Sequence, residues 1–253
     1  MKKGIQAFLQ ALLGFENYLV VFSLFKIYTL RWDSQNKEGD FNYFLKFLKP
    51  EDHVLDIGAN IGIMAALMAK KCKDGRVLAF EPIPENCRAL LRVKKFLALK
   101  NIELYPIALG EDEGEIKMEM PIMKGVRMQG LSHVNHSSIK GYQENGVTFT
   151  VRQKCLDKME ELQDLNISAI KMDVENYEQF VLKGGLELFR KHKPVLYCEL
   201  WDNENRQECF RLLGDLDYEF FVLSELGLKV FEAGKDLQHN FFFIPAERKK
   251  EFL

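Results

Sequence analysis

The chain has 253 residues, of which 47% are hydrophobic and 28% are charged, and its formal net charge is −2. This length and composition are typical of one large α/β domain and exclude a repeat, a collagen-like segment or a long disordered tail. The near balance of charges argues against electrostatic capture by nucleic acid, so we predict no nucleic-acid partner. The five cysteines are odd in number and widely spaced, which is typical of buried thiols in a reducing cytoplasm rather than of disulfides.

Residues 1–31 are rich in apolar side chains, but no uninterrupted apolar run is long enough to span a membrane. The segment carries one acid, Glu16, and four basic side chains, which are Lys2, Lys3, Lys26 and Arg31. We favour a helical cap over residues 1–40, packed on the sheet or on a second subunit of a homodimer, because globular cores use the same pattern. A basic amphipathic segment that lies on an anionic membrane surface is the alternative.

Strand and helix patterns alternate after a first helical stretch at 41–48. Two short apolar runs, 53–57 and 76–80, stop at turn residues and are typical of buried strands. The sequence predicts the next elements as helices over 63–72 and 85–99 and a strand over 102–109. The order strand, helix, strand, helix, strand predicts a parallel sheet with helices on both faces.

Residues 110–154 interrupt this alternation. Segments 115–120 and 147–151 alternate apolar and polar residues, as half-exposed antiparallel strands do. Between them lies a polar stretch, 121–146, and a loop of that length inside a compact domain is usually functional. We therefore predict an insertion that shapes the substrate side of a site.

The alternation then resumes to the end of the chain. The predicted elements are strands over 167–173 and 195–200, helices over 177–192 and 205–213, and final strands over 219–223 and 241–244 separated by a turn at Gly227. About seven strands with an antiparallel final hairpin predict a doubly wound, mostly parallel α/β sheet. We assign residues 41–253 to this one domain.

The most informative segment is Val54-Leu55-Asp56-Ile57-Gly58-Ala59-Asn60-Ile61-Gly62. Gly58 lets the backbone bend and approach a ligand, and Gly62 allows close packing where the next helix starts. A dinucleotide-binding G-x-G-x-x-G turn needs glycine where this chain has Asn60, which argues against a diphosphate. Asp56, just before the glycines, favours a ligand that carries a positive charge.

Glu81 follows the second strand, 19 residues after Gly62. A carboxylate at that place accepts two hydrogen bonds from a ribose diol. An adenosine joined to a zwitterionic, sulfonium-bearing amino acid meets the demands of both Asp56 and Glu81. The sequence therefore predicts S-adenosylmethionine as the ligand.

Four blocks of sequence follow one another in a fixed order along the chain. They are Asp56-x-Gly58-Ala59-Asn60-x-Gly62, then Phe80-Glu81-Pro82, then Ile170-Lys171-Met172-Asp173-Val174-Glu175-Asn176-Tyr177-Glu178 with Leu182-Lys183-Gly184-Gly185, and finally 194–199. Over residues 41–245 the chain resembles the FkbM family of S-adenosylmethionine-dependent methyltransferases. The resemblance implies a class I methyltransferase (Rossmann-like) fold with seven strands and methyl transfer, typically to an oxygen. Asn176 stands where the family usually has glycine, and we expect the turn to survive because Asn tolerates a left-handed backbone.

The resemblance also implies the binding residues. Asp56, Gly58, Asn60 and Gly62 would line the methionine side, and Glu81 would hold the ribose. Ala108 and Leu109 would lie near the adenine, and Ala59 and Pro82 would add further cofactor contacts. The acceptor is expected to be a sugar, a glycan or another small polar metabolite.

Methyl transfer to a hydroxyl requires a base that removes the proton. Asp173 and Glu175 at the end of the fourth strand are the first candidates, and Glu199 at the end of the fifth is the next, because open α/β sheets bind ligands at these strand ends. Asp202 would have to join them in a metal site, but a hard cation needs more oxygen ligands than the sequence supplies, so we predict no metal. Lys171 is expected to pair with a carboxylate, because an unpaired buried lysine is costly.

Alternatives remain open at this stage. A nicotinamide-dependent oxidoreductase on a similar sheet is one, and Asn60 argues against it. A non-catalytic protein that keeps the cofactor pocket is another, since fold alone does not decide function. His133 and His136, in the polar insertion, are alternative bases or ligands, although exposed loop histidines are usually neither.

Overall fold

The computed structural model describes residues 3–30, 39–135 and 146–252. The α-helices in these ranges are α1 Lys3–Leu13, α2 Phe15–Leu30, α3 Gly39–Phe44, α4 Ile63–Lys71, α5 Pro84–Phe96, α6 Glu160–Gln163, α7 Glu178–Lys183, α8 Leu186–His192 and α9 Glu204–Gly214. The strands are β1 His53–Ile57, β2 Arg76–Phe80, β3 Ile102–Tyr105, β4 Ala108–Leu109, β5 Gly114–Met123, β6 Val126–Arg127, β7 His133–Val134, β8 Gly146–Lys154, β9 Ile167–Met172, β10 Val195–Glu199, β11 Tyr218–Ser224, β12 Gly227–Val230 and β13 Asn240–Pro245. Short 3-10 helices lie at Gln129–Leu131, Leu156–Lys158 and Ala246–Glu251.

The main sheet has the strand order β12-β11-β13-β10-β9-β1-β2-β3. Neighbouring strands from β10 to β3 run parallel, whereas β13, β11 and β12 join by antiparallel pairing. This architecture confirms the predicted doubly wound sheet with an antiparallel end. In the main sheet the sequence did not indicate β12, which begins at Gly227 and pairs with β11 where only a turn was expected; in the insertion it did not indicate β6 and β7.

Both faces of the main sheet are covered. In β1, Leu55 and Ile57 face one hydrophobic core while Val54 faces the other. This alternation, with apolar residues on both sides, is what a parallel sheet between two layers of helices requires. All five cysteines are buried and none forms a disulfide, as the sequence predicted.

Two predicted elements are broken in the structure. The strand expected over 102–109 divides at Pro106, which has no N–H to donate to a ladder, and its second part becomes β4 of another sheet. The helix expected over 177–192 divides at Gly184 and Gly185 into α7 and α8. A Cβ atom on Gly184 would lie 1.9 Å from the backbone oxygen of Gly110, so this close approach admits only glycine.

The insertion forms a second sheet in the order β4-β8-β5-β6, with β7 paired to β5. Strands β5 and β8 are antiparallel from the Gly114–Gln153 pair to the Pro121–Gly146 pair, which confirms the two strands expected from alternation. Through β4, this second sheet lies at the carboxyl end of the main sheet's edge. The insertion is therefore placed beside the ends of β1 and β2.

The N-terminal helices α1 and α2 meet at Gly14 and form an angle of 120°. One face of α2 is buried, and its Ser23 hydroxyl donates to the backbone oxygen of Ile61 at 3.0 Å. Gln10 of α1 exchanges two hydrogen bonds of 3.2 Å with the backbone of Arg127 in β6. In the part of the chain that the structure describes, no helix by itself has the length and apolar composition of a membrane span, although α1 and α2 taken together as a bent pair do.

Candidate cofactor cleft and active site

A cleft opens at the carboxyl ends of β1, β2 and β9, where the insertion lies over the main sheet. Its empty space is about 600 Å³, including the part open to solvent, which is in the range of small-molecule sites. The predicted site residues that line it are Gly58, Asn60, Glu81, Pro82, Ala108, Asp173 and Glu175. The structure thus brings together residues from four separate segments of sequence.

The turn after β1 is fixed by its neighbours. The N–H groups of Gly58 and Ala59 both donate to the backbone oxygen of Phe80, at 3.0 and 2.9 Å. Gly58 has φ +78°, and a Cβ atom there would lie 1.9 Å from the backbone oxygen of Asp173. Gly58 is therefore required both for the left-handed backbone and for the close approach of the chain after β9.

Three of the predicted cofactor residues lie outside the cleft lining, as does Glu199. Gly62, at φ +79°, starts α4, and a Cβ atom there would lie 2.7 Å from Cγ of Leu90, so it has the packing role expected from the sequence. Ala59 is buried beneath the turn. Asp56 is the third, and its surroundings differ most from the prediction.

Asp56 is fully buried in β1, directly opposite Lys171 in the register with β9. The Lys171 ammonium lies 3.4 Å from Asp56 Oδ1 and 3.9 Å from Asp173 Oδ2, and it donates to the backbone oxygen of Gly58 at 2.9 Å. The predicted pairing of Lys171 with a carboxylate is therefore confirmed. Asp56 lies below the turn and holds the lysine that connects Gly58 and Asp173, and its contact with the ligand stays a prediction.

The charges of this buried group depend on one another. Burial lowers the pKa of Lys171, but the carboxylates of Asp56 and Asp173 outweigh it, and the net shift is upward. Burial raises the pKa of Asp56, and the Lys171 ammonium opposes that rise. Removing either partner would leave the other charge buried without compensation, which is strongly destabilising.

Glu81 is almost fully buried at the end of β2 and accepts three hydrogen bonds. The donors are the backbone N–H groups of Asn60 and Ile83, both at 2.8 Å, and the Asn86 amide at 3.2 Å. Burial raises the pKa of Glu81 to about 7, and these hydrogen bonds oppose the rise. Because a carboxylate offers about four acceptor positions, Glu81 keeps the capacity to accept from a ligand.

Three amide oxygens at the cleft are buried and have no hydrogen-bond partner among the described residues. They are Oδ1 of Asn60, Oδ1 of Asn86 and Oε1 of Gln129, and all three residues line the cleft. A buried acceptor without a donor costs free energy, so such atoms are expected where a ligand supplies donors. A ligand with an ammonium group, ribose hydroxyls and an adenine amine suits this set of acceptors.

The turn after β9 has an unusual backbone. Glu175 and Asn176 both have positive φ angles, +54° and +69°, so two successive residues are left-handed. The left-handed conformation expected for Asn176 is present, and its Oδ1 accepts from the Asn203 amide at 2.6 Å. Glu175 has no such tolerance, and strain at a cleft residue is typical of functional sites.

A second buried carboxyl group supports this turn from behind. Glu178 accepts from the backbone N–H of Val174 at 3.1 Å and from the Asn205 amide at 2.6 Å. Burial raises the pKa of Glu178 to about 7. Glu178 lies outside the cleft lining and connects the turn to α7 and α9.

The remaining candidates are not brought to the cleft. Glu199 ends β10 and lies opposite Asn240 of β13, and Asp202 is exposed and pairs with Arg206. Within the described ranges, no group of three His, Cys, Asp or Glu side chains is arranged to hold a metal ion. His133 is buried with Nδ1 3.0 Å from the backbone oxygen of Leu131, and His136 lies outside the described residues.

Sequence reasoning missed several residues of the cleft. Asn86 lies in the first turn of α5, shortly after Glu81 in the sequence, and this nearness could have indicated it. Tyr177 belongs to a recognised block, but nothing in the sequence indicated that its hydroxyl donates to Gln153 Oε1 at 3.1 Å. Residues from the insertion complete the lining, and these are Met118, Gln129, Gly130, Ser132 and Val134.

Comparison with known proteins agrees with this geometry. Residues 56–232 match the methyltransferase FkbM domain family, which is more than half of the chain. The protein therefore belongs to the FkbM methyltransferase family, which confirms the resemblance seen in the four sequence blocks. By this membership its cofactor is S-adenosylmethionine. The buried oxygen atoms of the cleft that can accept hydrogen bonds fit that cofactor.

Two relatives illustrate the extent of the similarity. Methyltransferase 1 of Beauveria bassiana is 26% identical over 148 residues, which cover 53% of this chain and 59% of that protein. The crystal structure of methyltransferase FkbM from Methylobacillus flagellatus has a TM-score of 0.51 and 19% identity, over 78% of this chain and 44% of that one. The second likeness shows the fold alone. This chain thus spans less than two thirds of the length of either relative.

Proposed function

We propose that this protein transfers a methyl group from S-adenosylmethionine to a hydroxyl oxygen of a sugar, a glycan or another small polar metabolite. The observation that supports it is the cleft. There, three buried amide oxygens have no hydrogen-bond donor among the described residues, and they lie with Glu81, Asp173 and Glu175 in one lining. Family membership supplies the reaction class. The acceptor is inferred from the polar insertion residues around the cleft.

Each side of the cleft suits one part of the cofactor. Glu81 would accept a hydrogen bond from a ribose hydroxyl at the acceptor position that its three present donors leave open, and Asn86 holds its carboxylate in place. Gly58 and Asn60 would face the methionine portion. The buried apolar residues Ala108 and Leu109 of β4 would cover the adenine.

Bound S-adenosylmethionine supplies a methyl group on a positively charged sulfonium, which loses its charge as the methyl leaves. The chain's own residues align the acceptor for in-line attack and exclude water, since alignment provides much of the rate of such displacements. Met118 and Val134 of the insertion are apolar, buried and part of the cleft lining, so they would help to exclude water.

The hydroxyl proton has to pass to a base during the transfer. Asp173 lines the cleft with 37% of its side chain exposed, and it forms an ion pair with the buried Lys171 ammonium. We assign the base to Asp173, with Glu175 as the other cleft carboxylate that could take the proton. Glu199 receives no role in this proposal because it lies outside the lining.

The test is transfer of label from methyl-tritiated S-adenosylmethionine to separate pools of monosaccharides, oligosaccharides, small hydroxylated metabolites and RNA. We expect label in a carbohydrate or metabolite pool, and a loss of about 100-fold in rate for Asp173→Asn, because a general base contributes roughly that much. Asp202→Asn is the matched control and should retain the rate. Label in RNA alone, or an unchanged rate in both Asp173→Asn and Glu175→Gln, would contradict the proposal.

A further inference from the structure

Helix α1 exposes a row of large apolar side chains. Ile5, Phe8 and Leu12 fall on one face of the helix, and Phe8 and Leu12 are 64% and 65% exposed. The polar side chain of Gln10 points toward the protein, where it bonds to the backbone of Arg127. Other apolar residues of α1 pack against the hydrophobic core, so this helix is apolar on both sides.

Helix α2 is apolar on both sides. Its inner face buries Leu19 and Ile27, whereas Val21 and Phe25 of the outer face are 54% and 61% exposed. A helix that is hydrophobic all round is normally covered on every side. We call the exposed apolar residues of the two helices the outer apolar face and define it as Ile5, Phe8, Leu12, Val21 and Phe25.

Basic residues are concentrated in the helix that packs against α2 and in the N-terminal segment. Helix α5, which packs against α2, exposes Arg92 and Lys95 next to the exposed aromatic ring of Phe96. Residues 85–100 hold five basic side chains against one acid, and residues 1–31 hold four against one, although the whole chain has a net charge of −2. Apolar side chains with basic neighbours are the features that attract a helix to an anionic lipid surface.

A second copy of the chain fits this face less well. Two copies that met through the same face would bring their basic residues together, and such like-charge contacts are repulsive. We propose that α1 and α2 dock the protein on the surface of a bilayer that contains anionic phospholipid, lying in the interface rather than crossing it. This attachment goes beyond the proposed methyl transfer and does not rest on it.

The test is flotation of the full chain with vesicles of phosphatidylcholine, with or without phosphatidylserine. We expect the protein to float with the anionic vesicles and much less with phosphatidylcholine alone. Phe8→Glu combined with Leu12→Glu should lower the partition coefficient by about tenfold or more, since two exposed apolar anchors are lost. Arg92→Glu combined with Lys95→Glu should lower binding to the anionic vesicles specifically.

The matched control is Leu226→Glu combined with Leu237→Glu, because both leucines are highly exposed but lie near the far edge of the sheet. This control should float as the parent does. Failure of the parent to float, or an equal loss in the control, would overturn the proposal. So would a dimer in solution that Phe8→Glu with Leu12→Glu converts to monomer while no form floats. Titration with S-adenosylhomocysteine in the same preparations reports separately on folding and on the cofactor cleft.

Discussion

At the scale of single residues, the burial of Glu81 predicts how the affinity for the cofactor depends on pH. Its pKa is raised to about 7 because the carboxyl group is buried, although three donors contact it. In the proposed complex a ribose hydroxyl would donate to the ionised carboxylate, so cofactor binding would favour loss of the proton. When the pH is below its pKa of about 7, the carboxyl group has to lose its proton before it can accept from the ligand, and this deprotonation weakens binding. When the pH is above that pKa, the group is already ionised and binding is not weakened in this way.

We therefore predict that affinity for S-adenosylhomocysteine rises as pH increases from 6 to 8, by at most about tenfold per unit below the pKa and levelling off above it. Glu81→Gln should bind more weakly at high pH and show no such rise. Calorimetric titration at several pH values measures both. Glu178→Gln is the control, because Glu178 is an equally buried carboxyl group with a pKa raised to about 7 that lies outside the cleft. A pH dependence lost in the Glu178 variant but kept in the Glu81 variant would refute this assignment.

Asp56 shows at the same scale what the sequence could not indicate, namely that its carboxylate pairs with a buried lysine. In the sequence Asp56 stands just before two glycines, and this pattern is compatible both with a ligand contact and with a buried ion pair. In the parallel register of β1 and β9, Asp56 lies opposite Lys171, and the two charges neutralise each other. Only the pairing of the two strands distinguishes a carboxylate that faces a ligand from one that holds a buried lysine.

At the scale of elements, boundaries were predictable where local residues set them. The bounds of β1 and β2 agree with the prediction because Gly58 and Pro82 end these runs. The division at Pro106 was readable too, since proline lacks an N–H. The break between α7 and α8 was readable from the pair Gly184-Gly185, whereas the approach of the Gly110 backbone to Gly184 from a distant segment was not.

The end of α5 supports a stability prediction. Ala98, just beyond the helix, has φ +52° and is exposed, in a position where glycine is usual. Ala98→Gly should raise the free energy of unfolding by about 1 kcal/mol, because a left-handed alanine is strained, and Tm by about 2 to 4 °C. Ala11→Gly, exposed within α1, should lower stability by up to about 1 kcal/mol. Thermal unfolding measures both, and a lower Tm for Ala98→Gly would count against the account.

At the scale of the whole molecule, one part of the site could be predicted from the sequence and another part could not. The ends of parallel strands meet at one edge, so Gly58, Glu81 and Asp173 could be placed together from the sequence. The insertion could be recognised as an interruption between 110 and 154, yet its contribution to the cleft could not. Gln129 and Val134 reach the cleft because β5 pairs with both β7 and β8, and these are contacts over long sequence distances.

The central claim is that this cleft binds S-adenosylmethionine through Glu81. Calorimetric titration with S-adenosylhomocysteine of the parent, Glu81→Ala and the exposed control Glu161→Ala tests it most directly. We predict micromolar binding by the parent and the control, and a loss of about 2 kcal/mol or more in Glu81→Ala, as expected when charge-assisted hydrogen bonds are removed. Folded parent protein that binds NADH but not S-adenosylhomocysteine, or binding that Glu81→Ala leaves unchanged, would contradict the account.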